Sequence, residues 1–134
     1  MPTATYNKFT PAIESLLEGI NAGTDSWAIK LATAVNQAAG SITEVSNGNG
    51  YTTGGNTATV SSASQTGGTF TLILADPAVW TASGAGFTFR YAVLVDTTAN
   101  VNVGYWDYGA SQAVASGETV TVDLDATNGV FQAT

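Results

Sequence analysis

Three stretches of this sequence bring together residue types that do chemistry. Residues 47–56, NGNGYTTGGN, hold four glycines and three asparagines, a composition that could cradle a phosphate. A dinucleotide fingerprint needs G-x-G-x-x-G opening a helix, and a P-loop needs a lysine followed by Ser or Thr. Here the spacing is Gly48-x-Gly50-x-x-x-Gly54, no lysine follows, and the next segment, 57–62, reads as a strand. The helix N-terminus that would hold the anion is missing. The reading that fits is a loop using Gly and Asn for positive φ, with Tyr51 as its one large side chain and a candidate contact at the rim of the fold.

The second stretch is 123–129, DLDATNG, with alternating acids of the kind found in calcium loops. An EF-hand needs glycine at position 6 and glutamate at position 12. Counted from Asp123, those positions hold Asn128 and Thr134, so a strand end running into a turn is the better reading. The third is Tyr105, Trp106, Asp107 and Tyr108. Aromatics beside a carboxylate can stack on sugar rings, yet they are equally at home in cores and interfaces. Trp106 and Tyr108 fall on the strand face opposite Val101, Val103 and Tyr105, which favours core on one side and interface on the other.

With no histidine and no cysteine, the commonest general base and the Ser–His and Cys–His nucleophile systems are absent. Asp123 and Asp125 share a strand face in this reading, but that face also carries Thr119 and Thr121 and reads as solvated. The expectation is therefore no enzyme, no catalytic residues, no cofactor and no metal.

The elements that must position these residues are mostly strands. Only 10% of the 134 residues are charged and 44% are hydrophobic, the remainder being largely Thr, Ser, Asn and Gly. Period-2 alternation runs through 27–35, 69–74, 87–95 and 119–124, with shorter candidates at 42–46, 57–63, 78–82, 101–106 and 129–133. Asn128 and Gly129 read as a type I′ hairpin turn joining strand 118–125 to the C-terminal strand. The one helix candidate carries Phe9, Ile13, Leu16, Leu17 and Ile20 at helical spacing, with Thr10 as cap, Pro11 in the first turn and Gly19 and Gly23 as stops. The prediction is an all-β domain, a β-sandwich or jelly-roll-like fold of about eight short antiparallel strands over 27–134, preceded by an N-terminal helical segment or arm over 1–26.

Three basic residues against ten acidic ones give a net charge of −7. Lys8, Lys30 and Arg90 are scattered, so no nucleic-acid partner is expected. Apolar runs such as 92–95 are far too short to span a bilayer, and the opening residues carry no basic region followed by an apolar run, so neither a membrane partner nor a secretory signal is read. Low charge and high strand content leave sheet edges that invite pairing with another chain.

Several phrases taken together resemble a known group. They are YNKF from Tyr6, ITEV from Ile42 leading into NGNGYTTGG, LADPAVWTASG from Leu74, FRYAVL from Phe89, GYWDYG from Gly104, GET from Gly117 and VDL from Val122. Across nearly the whole chain they are similar to small virion structural proteins of tailed bacteriophages, although no phrase is tied to a chemical site. What the resemblance implies is a capsid cement (decoration) protein that sits in many copies, or as a homo-oligomer, on the capsid exterior and bridges subunits of the major capsid protein. It would be assembled in the host bacterial cytoplasm. Alternatives are a tail, baseplate or fibre component, or a carbohydrate-recognition module for host glycans built around Trp106. The candidate partner contacts are Phe9, Ile13, Tyr51, Trp106 and Tyr108.

Overall fold

The computed structural model describes residues 3–134, so Met1 and Pro2 of the 1–26 segment lie outside the described residues. In chain order the elements are β1 (Thr5–Lys8), α1 (Ala12–Glu18), β2 (Trp27–Asn36), β3 (Ser41–Glu44), β4 (Asn56–Thr57), β5 (Val60–Thr66), β6 (Thr69–Leu74), β7 (Trp80–Thr81), β8 (Phe87–Asp96), β9 (Val101–Val114), β10 (Thr119–Val120) and β11 (Phe131–Ala133). The domain is all-β with one short helix. Three of the strands, β4, β7 and β10, have two residues each, and the remaining eight carry the architecture.

Every strand pair is antiparallel. The large sheet runs β1-β9-β8-β2-β3, with β4 also on β2; β10-β7 and β11-β6-β5 form two smaller sheets. One apolar core joins Ile29, Leu31 and Leu94 of the large sheet to Leu72 and Leu74 of β6 and to Trp80 and Val120 of the β10-β7 pair. Antiparallel sheets closing on a shared core make the arrangement sandwich-like. Strand β8 shows why it holds. It alternates buried and exposed through Phe87, Thr88 and Phe89, but from Ala92 to its end every residue is buried on either face. Each Val or Leu so buried contributes about 1.5–3 kcal/mol.

Three local readings are corrected. First, residues 5–8, expected within a helical arm, form β1, which pairs with β9 from Thr5↔Asp107 to Lys8↔Gly104. Second, α1 begins after Pro11, which occupies the cap position without a side-chain cap; the Thr10 backbone N–H is drawn instead to the Gln37 carbonyl at 2.9 Å. Seven residues are too few for a helix to stand alone, so α1 depends on its packing. Third, Asn128 and Gly129 do not close a hairpin. β10 pairs with β7, while β11 pairs with β6. Only Gly129 of the two has positive φ, whereas a type I′ turn needs it at both central residues. The Asp125 carboxylate instead accepts the N–H groups of Thr127 and Asn128, each at 2.7 Å, and winds the chain into a helical turn. Two-residue turns with both φ positive lie instead at Gly67 and Gly68, between β5 and β6, and at Asn49 and Gly50, where Gly48 and Tyr51 bridge.

Candidate binding surface

Tyr6, on the edge strand β1, stands between two adjoining clefts. Its ring meets Trp106 at a centroid distance of 5.2 Å and covers the backbone of Gly104, where a Cβ would collide with the ring. Burial pushes its hydroxyl up to about 12, so it stays a neutral donor and acceptor at ordinary pH.

The first cleft, about 1000 Å³, lies between α1 and the small sheet. Ile13, Leu17 and Ile20 form one wall, and Phe70 and Phe131 the other. The helix turns Ala12 inward and leaves Ile13 47% and Leu17 83% exposed. The apolar spacing read from sequence therefore serves two directions: Phe9 plugs the core before the helix starts, and Ile13 with Leu17 faces out, one turn apart.

The second cleft, about 620 Å³, has Tyr6, Trp106 and Tyr108 along one side and Thr121, Asp123 and Asp125 along the other. Tyr108 packs edge-on against Phe89 at 5.3 Å, and burial raises its hydroxyl above the usual phenol range. Asp125 is held below the usual carboxylate range by the N–H groups of Asn128 and Thr127 and by the Asn128 side chain, so it is already occupied by its own turn. Asp107, the acid within the aromatic cluster, does not line this cleft. Arg90 grips it with Nε–Oδ1 at 2.9 Å and Nη2–Oδ2 at 3.1 Å, and Gly109 N–H adds a third bond at 2.8 Å. The Arg90 guanidinium holds that carboxyl below its ordinary value. The fork sits where β9 carries three more residues than β8 between the pairs Tyr91↔Asp107 and Phe89↔Gln112.

No family profile, curated protein or solved structure matches this chain.

Of the five contact candidates, the fold brings Trp106 and Tyr108 into one cleft and Ile13 into its neighbour. Phe9 and Tyr51 are withdrawn from the surface a partner would meet. Phe9 is fully buried, with its ring 5.0 Å from that of Tyr105. Tyr51 is 2% exposed because it fills the gap in the large sheet between β3 and β4: its hydroxyl accepts Leu31 N–H at 3.1 Å and donates to Glu44 Oε1 at 2.7 Å. Burial, then the Glu44 carboxylate, drive this phenol well above its ordinary range. Gly54 N–H binds the same Glu44 oxygen at 2.6 Å, so the Gly- and Asn-rich loop is moored inward. Tyr51→Phe is expected to cost about 1–3 kcal/mol, since it strands the buried Leu31 N–H and takes one of its hydrogen bonds from the part-buried Glu44 carboxylate. A drop in the urea midpoint with an unchanged far-UV spectrum checks this.

Tyr6 and Leu17 were not among those candidates. Leu17 was visible in the helical spacing. For Tyr6 the available signal was the alternation of Tyr6 and Lys8 with Thr5 and Asn7, a strand pattern too short to stand apart from the helix that follows. Among the described residues no three His, Cys, Asp or Glu side chains converge on one point, and no helix is long and apolar enough to cross a membrane.

Proposed function

We propose that the protein is a non-enzymatic structural component of a tailed-phage virion, of the capsid cement type, which docks on the major capsid protein through the cleft between α1 and the small sheet. The observation that carries this reading is Leu17, 83% exposed beside Ile13 and an open apolar cleft, where among the described residues the one other exposed large apolar side chain is Val79. Exposed apolar side chains beside an apolar groove are what a protein–protein docking site presents. The class of partner comes from the resemblance of the sequence phrases to tailed-phage virion proteins, and the net charge of −7 suits a position away from DNA. Many copies turn a modest single-site affinity into a durable clamp.

Mixing purified protein with undecorated capsids should give symmetric outer density, at hundreds of copies per particle for a cement protein and far fewer for a tail or baseplate part. Leu17→Glu is expected to weaken binding at least tenfold, about 1.4 kcal/mol, without unfolding an already exposed position. Absence of binding to any capsid state removes the proposal.

A second reading rests on the second cleft. Tyr6, Trp106 and Tyr108 facing Thr121 and Asp123 offer aromatic faces and polar groups of the sort that hold a sugar. It requires glycan-array signal that disappears in Trp106→Ala.

A further inference from the structure

We propose that the outer edge of β5 pairs with the same strand of a second copy, antiparallel about a two-fold axis through Ser64. β5 is the terminal strand of the β11-β6-β5 sheet and among the described residues pairs only with β6, so its other side presents N–H and C=O groups with no ladder partner there. The edge strands β1 and β3 have four residues each, β11 has three, and β4, β7 and β10 have two. Beyond its pairing with β1, β9 also leaves residues 108–114 paired on one side at most among the described residues, but only 112–114 keep a regular register with β8 there, because the ladder is broken between Phe89 and Tyr91. β5 runs seven residues, VSSASQT, without a charge or a proline, and its register with β6 is irregular only near Ser61.

The occupant follows from charge and from self-complementarity. No Asp, Glu, Lys or Arg occurs anywhere from Val45 to Ala75. A basic or acidic partner finds no opposite charge on this edge. Two copies of a chain of net charge −7 can meet here without setting like charges against each other. The regular part of β5, residues 62–66, has Ser64 at its midpoint. A two-fold axis there sets Ser62 opposite the partner's Thr66, Ser64 opposite the partner's Ser64, and Ala63 opposite the partner's Gln65. Ser62, Ser64 and Thr66 are all exposed, so one face of the new ladder is a row of hydroxyls, a favourable cross-strand set. The hairpin turn at Gly67 and Gly68 supports the edge, and the pairing joins two three-stranded sheets into one of six. This inference does not depend on what either cleft binds.

Sedimentation equilibrium on the purified protein is expected to show a monomer–dimer equilibrium, with the outward-facing amides of Ala63 and Gln65 gaining hydrogen-exchange protection as concentration rises. Ser64→Asp places two carboxylates on the axis and should weaken the dimer at least tenfold. Ser62→Asp with Thr66→Asp should do the same. Ser62→Asp with Thr66→Lys sets opposite charges across the axis and should stay within about threefold of wild type, which also fixes the register. A wild-type protein that remains monomeric to ~0.5 mM overturns the proposal. So does a dimer indifferent to Ser64→Asp, or a charge-swapped pair that dissociates as readily as the like-charged one. The exchange measurement needs no variant, so a variant that fails to fold leaves it decisive.

Discussion

Asp96→Asn is expected to make the protein more stable at pH 7, by up to ~3 kcal/mol, and to remove a rise in stability expected of the wild type on mild acidification. Asp96 ends β8 and is fully buried. Its Oδ1 accepts Ala99 N–H at 2.9 Å, while its Oδ2 has no hydrogen-bond partner among the described residues. Burial pushes this carboxyl up from 3.8 to about 6, and the adjacent Asp25 carboxyl adds to the effect. Asp25 is held in place by Asn21 N–H at 2.9 Å. The folded form therefore binds the Asp96 proton more tightly than the unfolded chain does. Its contribution is fully present below about pH 4 and is lost as pH rises through about 6; a rise of some two units corresponds to about 3 kcal/mol at most.

Asparagine keeps the shape, still accepts Ala99 N–H, and offers an N–H toward Asp25, so it mimics the protonated acid at every pH. Asp107 and Asp125 act in the opposite sense. Arg90 holds the first low and local N–H groups hold the second low, so their contributions disappear as pH falls below about 4. Urea midpoints of the wild type should therefore rise from pH 7 to pH 5, while those of Asp96→Asn stay level over that interval. A wild type less stable at pH 5 than at pH 7, or an Asn variant less stable than wild type at pH 7, contradicts this account.

The adjacent glycines 54 and 55 give the second large effect. Both have positive φ, at 100° and 71°. At Gly54 an added Cβ meets nothing within 4 Å, so Gly54→Ala pays only for backbone strain, about 1 kcal/mol. At Gly55 the Cβ would drive into the Ile29 carbonyl oxygen and lie 2.8 Å from the Ile29 carbonyl carbon and the Lys30 Cα, all of them backbone of β2. Backbone of a central strand cannot swing aside as a side chain can. Gly55→Ala must push the loop outward and take Asn56 away from Ile29, its partner in the β2–β4 ladder. The expected loss is ~3 kcal/mol or more. Thermal melts of the two variants side by side check this; equal losses would mean that φ, rather than the close approach, governs the site.

Much of the architecture is legible along the chain because strand alternation is a local property of the backbone. β2, β6 and β8 were readable from their apolar runs, and the faces of β9 from the placement of Trp106 and Tyr108. Charge-poor edges were legible as a hazard, though not which edge is left bare. β1 was hidden because four strand residues beside a proline and a helical run leave no period of their own. The candidate surface was half legible. Ile13, Trp106 and Tyr108 carry apolar bulk at exposed or half-buried positions, whereas Phe9 and Tyr51 look the same in sequence and lie inside.

Composition and periodicity by themselves determined an acidic, strand-rich chain with one short helix and a glycine-rich loop that does not follow a phosphate-binding pattern. Tertiary structure alone decided that β11 pairs with β6, that Tyr51 bridges a gap in the sheet, that Asp107 turns to Arg90 and that Asp96 is buried beside Asp25. Alternation depends on residues two apart, but ladder partners and buried charges depend on which distant segments meet. Asp96 reads as an ordinary strand-end acid until the turn at Asp25 closes over it.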